Sequence, residues 1–175
     1  MSVNSIRLCR VDEHPAILAI VNAAAERYRG VIPADCWHDP YMPFDQLEND
    51  IAGGVTFWGY DDGHDGLLGV MGIQAVREVE LIRHAYIRPG EQGRGVGGTL
   101  LRYLENRSRR QILIGTWANA EWAIHFYQKH GYQLAPSTET ARLLRTYWTI
   151  TPRQAEASVV LSKSSAHTRA LFGTR

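Results

Sequence analysis

The run Gln92-Gly93-Arg94-Gly95-Val96-Gly97-Gly98 is the stretch of this 175-residue chain best suited to chemistry. It lies where an apolar segment ending at Ile87 gives way to a helical pattern beginning at Val96. At such a junction the first helical N–H groups lack an intrahelical acceptor, the helix dipole adds its positive end, and glycine leaves room for an oxyanion. The run reads as an anion cradle, although glycine count alone would suit a turn selected for its backbone angles equally well. A P-loop would need Gly-Lys before Ser or Thr, and Gly98-Thr99 comes without the lysine. A dinucleotide fingerprint can be spelled through Gly93, Gly95 and Gly98. It belongs after the first strand of a βαβ series, with an acidic residue about 20 positions on. Here several strand-like segments come first, and the next strand ends at Trp117 without a carboxylate.

The elements that must position this run are legible as a series. Ser5 to Val11 alternates apolar and polar residues, as a half-buried strand does. Asp12 as N-cap and Pro15 in the first turn predict a helix through Ile17, Ile20, Val21, Ala24 and Tyr28, ending at Gly30. Val31 to Met42 has no period and reads as an ordered loop, and Pro43 to Ala52 as a short helix closed by Gly53-Gly54. Val55–Tyr60, Leu67–Val76 and Val79–Ile87 read as an antiparallel meander. A helix from Val96 to about Arg107, a strand from Gln111 to Trp117 and a helix from Glu121 to His130 follow. Thr138–Trp148 reads as a helix and Ser158–Leu161 as a last strand. The expectation is one mixed α/β domain over residues 1–162, with residues 163–175 a loose polar tail.

Composition narrows the partners. The chain is 45% hydrophobic and 21% charged, as ordinary globular proteins are. Nineteen basic and eighteen acidic residues leave a net charge of +1, no surplus with which to hold DNA or RNA. Cys9 and Cys36 are too few for a disulfide framework. Cys36 and His38 lack the further ligands or triad members that a metal site or nucleophile would need, so no metal is expected. No stretch approaches about 18 uninterrupted apolar residues, and the first ten residues lack a signal-peptide pattern. A cytoplasmic protein without membrane association is the expectation.

Gln92, Gly95 and Gly97, in this order of elements, resemble motif A of the GCN5-related N-acetyltransferases (GNAT), and the resemblance extends over about Ile6 to Tyr132. It implies a central, mostly antiparallel, splayed sheet flanked by helices, and acetyl-CoA as co-substrate. By position in that family, Ala85, Tyr86 and Ile87 would contact the acyl-pantetheine through their backbone. Gln92, Gly93, Arg94, Gly95, Val96, Gly97, Gly98 and Thr99 would hold the pyrophosphate, with Arg94 facing the adenosine phosphates. The family's second landmark, a tyrosine shortly before a Gly-aromatic pair, is matched by Tyr127 ahead of Gly131-Tyr132. A phenol near the sulfur can protonate the departing thiolate. Many members carry asparagine seven residues before that tyrosine, where this chain has Ala120, with Asn119 one earlier.

An attacking amine of lysine type has a reference pKa of about 10.4 and must first lose a proton. Glu78, Glu80 and His84 share one strand face by period-2 parity unless a bulge intervenes. Glu80 and His84 are the candidates for base or relay. The loop from Ile32 to Met42 lies where the family builds its acceptor pocket, so Trp37, His38, Tyr41 and Trp58 are the expected substrate residues. Asp35, His38 and Asp39 could meet an ammonium group. Arg142, Arg145, Tyr147 and Trp148 suit either a lid or a homodimer surface. The expected reaction is transfer of acetyl to a primary amine of a small molecule or amino acid by direct attack in a ternary complex. A protein amine, a non-catalytic acyl-CoA sensor and a nicotinamide oxidoreductase are the alternatives.

Overall fold

The computed structural model describes residues 5–64 and 66–163, so the expected tail beyond residue 163 lies outside the described residues. Seven strands are hydrogen-bonded in the order β1-β2-β3-β4-β5-β7-β6, an open, mostly antiparallel sheet flanked by helices. They are β1 (Ser5–Leu8), β2 (Val55–Asp61), β3 (Leu67–Val76), β4 (Val79–Ile87), β5 (Gln111–Trp117), β6 (Gln133–Leu134) and β7 (Ser158–Ser162). The helices are α1 (His14–Ala25), α2 (Phe44–Ala52), α3 (Val96–Arg107), α4 (Glu121–Lys129), α5 (Ser137–Tyr147) and α6 (Pro152–Glu156). None of the described helices is long and apolar enough to cross a membrane. The chain divides into two compact units, one formed within Met1–Gln74 and Ile82–Arg107, the other within Ala75–Leu81 and Ser108–Arg175.

In the first unit, β1 and β2 pair antiparallel from Ser5 opposite Asp61 to Leu8 opposite Trp58, and β2 pairs antiparallel with β3. Ile17, Ile20 and Val21 of α1 and Leu47 of α2 pack with Val55, Phe57, Leu67 and Val70 into one core. The first strand is shorter than its alternation suggests, because Val11–Glu13 turns into a 3-10 segment. The Glu13 carboxylate accepts from the Arg10 N–H at 2.7 Å and from both Arg7 Nη atoms at 2.8 and 2.9 Å. Arg7 Nε also donates to Asp61 at 2.5 Å, so one guanidinium joins the end of β2 to the entry of α1. Asp12 is therefore not the N-cap of α1: Glu13 precedes the helix, and its carboxylate is committed elsewhere.

In the second unit, β5 and β7 pair antiparallel from Leu113 opposite Ser162 to Trp117 opposite Ser158. Val79, Leu81, Leu113, Leu143, Leu144 and Val160 form its core, with Tyr147 and Trp148 packed against it. The Trp148 ring would sit 3.1 Å from a Cβ added at Gly115. These two aromatics are half-buried against that core, while Arg142 and Arg145 of the expected lid or dimer group are exposed. Two elements go beyond the sequence reading. The helix α6 begins at Pro152 behind Thr151, whose hydroxyl accepts from the Gln154 N–H, and β6 is a two-residue strand added to β7.

Candidate active site

The glycine run forms an exposed loop that enters α3 at Val96. Gly93 and Gly95 have φ of +79° and +82°, and a Cβ at either would meet nothing within 4 Å. Glycine is needed there for the backbone angle rather than for packing space. Both the N–H and the hydroxyl of Thr99 settle on the Gly95 carbonyl, at 3.0 and 2.9 Å. The N–H groups of Gly93, Arg94, Gly95, Val96, Gly97 and Gly98 donate to no acceptor among the described residues. The cradle therefore offers a series of free donors at the positive end of a helix. Arg94 is 70% exposed and its Nη1 donates to Glu91 at 2.8 Å, while Gln92 turns its amide to the Ile87 carbonyl at 3.2 Å.

The strand that leads into this loop is held tightly from one side. A Cβ on Gly69 would come within 2.4 Å of Ile87 Cδ1 and 3.2 Å of the Tyr86 carbonyl, so glycine lets β3 lie against Ala85–Ile87. Within β4 the alternation breaks. Leu81 and Ile82 are both buried, and His84 has φ +52°, a left-handed conformation uncommon for a non-glycine residue. Period-2 parity therefore does not carry from Glu78 and Glu80 to His84. The consequence is visible in their partners. The Glu80 carboxylate accepts from the Ser108 hydroxyl, and Glu78 from the Tyr147 hydroxyl. The His84 ring instead stacks on Phe57 with centroids 5.8 Å apart, and its Nε2 lies 2.8 Å from Asp50 Oδ2.

Burial pushes the His84 imidazole below its ordinary value, and the Arg83 charge adds to this while Asp50 opposes it. Burial works to raise the Asp50 carboxyl, but the hydrogen bond from His84 and the Arg83 guanidinium, 3.3 Å from Oδ1, hold it below the usual carboxylate range. Arg83 is itself steadied by Gln74 Oε1 at 2.8 Å. Sequence reasoning missed Asp50: nothing in FDQLENDIA marks one of its acidic residues as the partner of a strand histidine.

Trp37, Tyr41, Tyr28 and Tyr86 form an aromatic cluster. Tyr41 lies 5.6 Å from Trp37, 5.5 Å from Tyr28 and 6.4 Å from Tyr86 by ring centroids. Burial, with Tyr28 and Tyr41 beside it, pushes the Tyr86 phenol well above its ordinary value. The Arg29 guanidinium covers the Trp37 ring at 4.5 Å and also meets Asp39 at 3.3 Å. His38 is exposed on the same loop. Trp58 does not join this cluster, because adjacent strand residues face opposite sides. Its ring packs on Tyr103 of α3 at 5.2 Å, beneath Arg107 at 4.9 Å. Phe57 is the β2 residue on the α1 and α2 side, as the buried alternation of Val55 and Phe57 would have indicated.

Tyr127 belongs to the second unit, where α4 buries it to 6% exposure. Its ring meets Phe126 at 5.0 Å and Tyr132 at 6.0 Å, both edge to face. The Tyr127 carbonyl accepts from the N–H groups of His130 and Tyr132, so the turn at Gly131 (φ +90°) folds directly onto the tyrosine. Ala120 is fully buried at the start of α4, whereas Asn119 is exposed.

Residues 53–134 match the family model of the acetyltransferase (GNAT) domain. Solved structures agree in fold across nearly the whole chain. A GNAT-family acetyltransferase from Staphylococcus aureus Mu50 is 14% identical, with a TM-score of 0.68 over 92% of this chain and 98% of that one. The PaiA N-acetyltransferase of Thermoplasma acidophilum, solved with coenzyme A, is 14% identical, with a TM-score of 0.67 over 93% and 99%. The ribosomal-protein-S18-alanine N-acetyltransferase of Escherichia coli is 15% identical, with a TM-score of 0.62 over 92% and 93%. A search of curated protein sequences gives no match. The glycine loop and most of the meander that precedes it fall within the residues that match the acetyltransferase (GNAT) domain model, and the fold is the one these acetyltransferase structures share.

Proposed function

We propose that this protein is an acetyl-CoA-dependent N-acetyltransferase that acts on a primary amine of a small molecule or amino acid. The observation that carries the donor half is the series of N–H groups from Gly93 to Gly98 without an acceptor among the described residues, at the start of α3 and led in by the exposed Gly93, Arg94 and Gly95. A pyrophosphate suits such a cradle: the donors lack acceptors within the chain, Gly93 and Gly95 add no side chain, and Arg94 belongs to the same loop. That the Thermoplasma acidophilum neighbour was solved with coenzyme A supports this donor. Bound there, the coenzyme supplies an acyl group activated as a thioester.

The residues of this chain would then manage protons. The ammonium form of the acceptor loses one proton before its nitrogen attacks the thioester carbonyl. As the C–N bond forms and the C–S bond breaks, a second proton leaves the nitrogen and one reaches the sulfur. The net products are an amide, a free thiol and one proton released to water. Tyr127 is the proposed donor to sulfur. Of the two proposed bases, His84 is favoured, since Glu80 already accepts from Ser108. The aromatic cluster of Trp37, Tyr41 and Tyr86 is proposed to border the acceptor.

Thiol release from acetyl-CoA, followed across a panel of small amines, amino acids and peptides, tests the proposal. Amine-dependent release is expected for a subset of the small amines. Binding of coenzyme A without any release would make the protein a sensor instead, and release with peptides alone would move the acceptor to a protein amine.

A further inference from the structure

We infer that Asp50 is a positioning residue, whose carboxylate fixes His84 with the proton on Nε2 and so presents Nδ1 as the acceptor of the amine's proton. The inference rests on the acetyltransferase reading above and adds to it a residue on a different element. An ionised carboxylate can only accept, so the 2.8 Å contact from Nε2 to Asp50 Oδ2 requires the proton to sit on Nε2. In the neutral ring the lone pair is then on Nδ1, which makes no hydrogen bond to any described residue.

Three further features converge on this arrangement. Backbone strain at φ +52° turns His84 out of the strand's alternation and onto the Phe57 ring. Asp50 is held in turn by Arg83, so the carboxylate cannot swing freely. His84 also immediately precedes Ala85–Ile87, the backbone expected to line the acyl chain. The charged groups that act on the imidazole are Asp50 from α2 and Arg83 from its own strand, while β2 contributes only the uncharged Phe57. Of these, Asp50 favours the imidazolium that proton uptake creates, which is what an orienting partner of a base must do.

Two measurements test the pair. Nitrogen-15 shifts of the histidine side chains in the wild-type protein, without substrate, should show His84 as the Nε2–H tautomer. In amine-dependent turnover, Asp50→Asn should lower kcat about tenfold or more, and His84→Gln about 10²-fold or more, with binding of coenzyme A unchanged. Because the carboxylate raises the His84 pKa, Asp50→Asn should also move the acid limb of kcat/KM to lower pH, and Asp50→Glu should restore it. A proton on Nδ1 in the wild type, or an acid limb that stays in place in Asp50→Asn while turnover persists, would overturn the role of Asp50 alone. Absence of thiol release with every amine would instead sink the acetyltransferase reading, and the pair's catalytic role with it.

Discussion

Replacing Gly95 by alanine separates the backbone geometry of the cradle from its use. Gly95 sits at φ +82° with nothing within 4 Å of where the alanine methyl would stand, so the substitution creates no clash. What remains is the cost of holding an L-residue in a left-handed conformation, about 1–2 kcal/mol. For a chain of this length that corresponds to a fall in Tm of roughly 2–8 °C. If the loop relaxes to a negative φ instead, the N–H of Val96 turns away from the series of free donors. Loss of one hydrogen bond to a charged phosphate costs about 1.5–3 kcal/mol, so coenzyme A should bind about 10- to 100-fold more weakly. Thermal melting without ligand and calorimetric titration with coenzyme A measure the two effects separately. Gly90→Ala is the control: it too lies in open space, without the positive φ, and should change neither quantity. An unchanged Tm together with binding within about twofold of the parent would refute the assignment of the cradle to the pyrophosphate, because the relaxed loop would then have kept its affinity.

Tyr127→Phe should lower kcat by about 10²-fold with coenzyme A affinity nearly intact, and normal turnover would remove it as the acid. Trp58→Ala should lower Tm while leaving KM for the amine unchanged, because Trp58 packs on Tyr103, whereas Tyr41→Ala should raise that KM. The Arg7 guanidinium, first through its hydrogen bonds, holds the Glu13 and Asp61 carboxyls below their ordinary values. Their contribution to stability is therefore present above the unfolded carboxylate range of about 4 and is lost as pH falls through the lower folded values. Arg7→Met should cost about 2–3 kcal/mol in urea unfolding near pH 7, less than a fully buried pair because Arg7 is 25% exposed, and should flatten the acid dependence. Cys9, pushed up to about 12 by burial and then by Glu13, should alkylate more slowly than Cys36 at pH 8, as read by mass spectrometry.

What the sequence made legible was whatever depends on neighbours along the chain. The meander, the start of α3 at Val96 and the extents of β5 and α4 follow from periodicity and glycine punctuation, and the structure places them within a residue or two. What it hid depends on contacts between distant segments. Arg7 reaches Asp61 across 54 positions, Asp50 meets His84 across 34, and Trp58 is turned toward α3. The parity of β4 broke where Leu81 and Ile82 are both buried and where His84 turns left-handed, and a left-handed φ cannot be read from side-chain types when the residue is histidine rather than glycine.

That residue invites a comparison within the chain. Among the described residues, Arg77 and His84 are the non-glycine positions with positive φ, both at 52°. Thermostabilisation guided by backbone angles would replace both with glycine and expect about 1 kcal/mol from each. At Arg77, in the turn between β3 and β4, that gain should come with activity intact. At position 84 the same change would also remove the ring that stacks on Phe57 and meets Asp50, so the relieved backbone is outweighed and both stability and turnover should fall. The two sites together separate what a strained backbone costs from what the ring it carries returns.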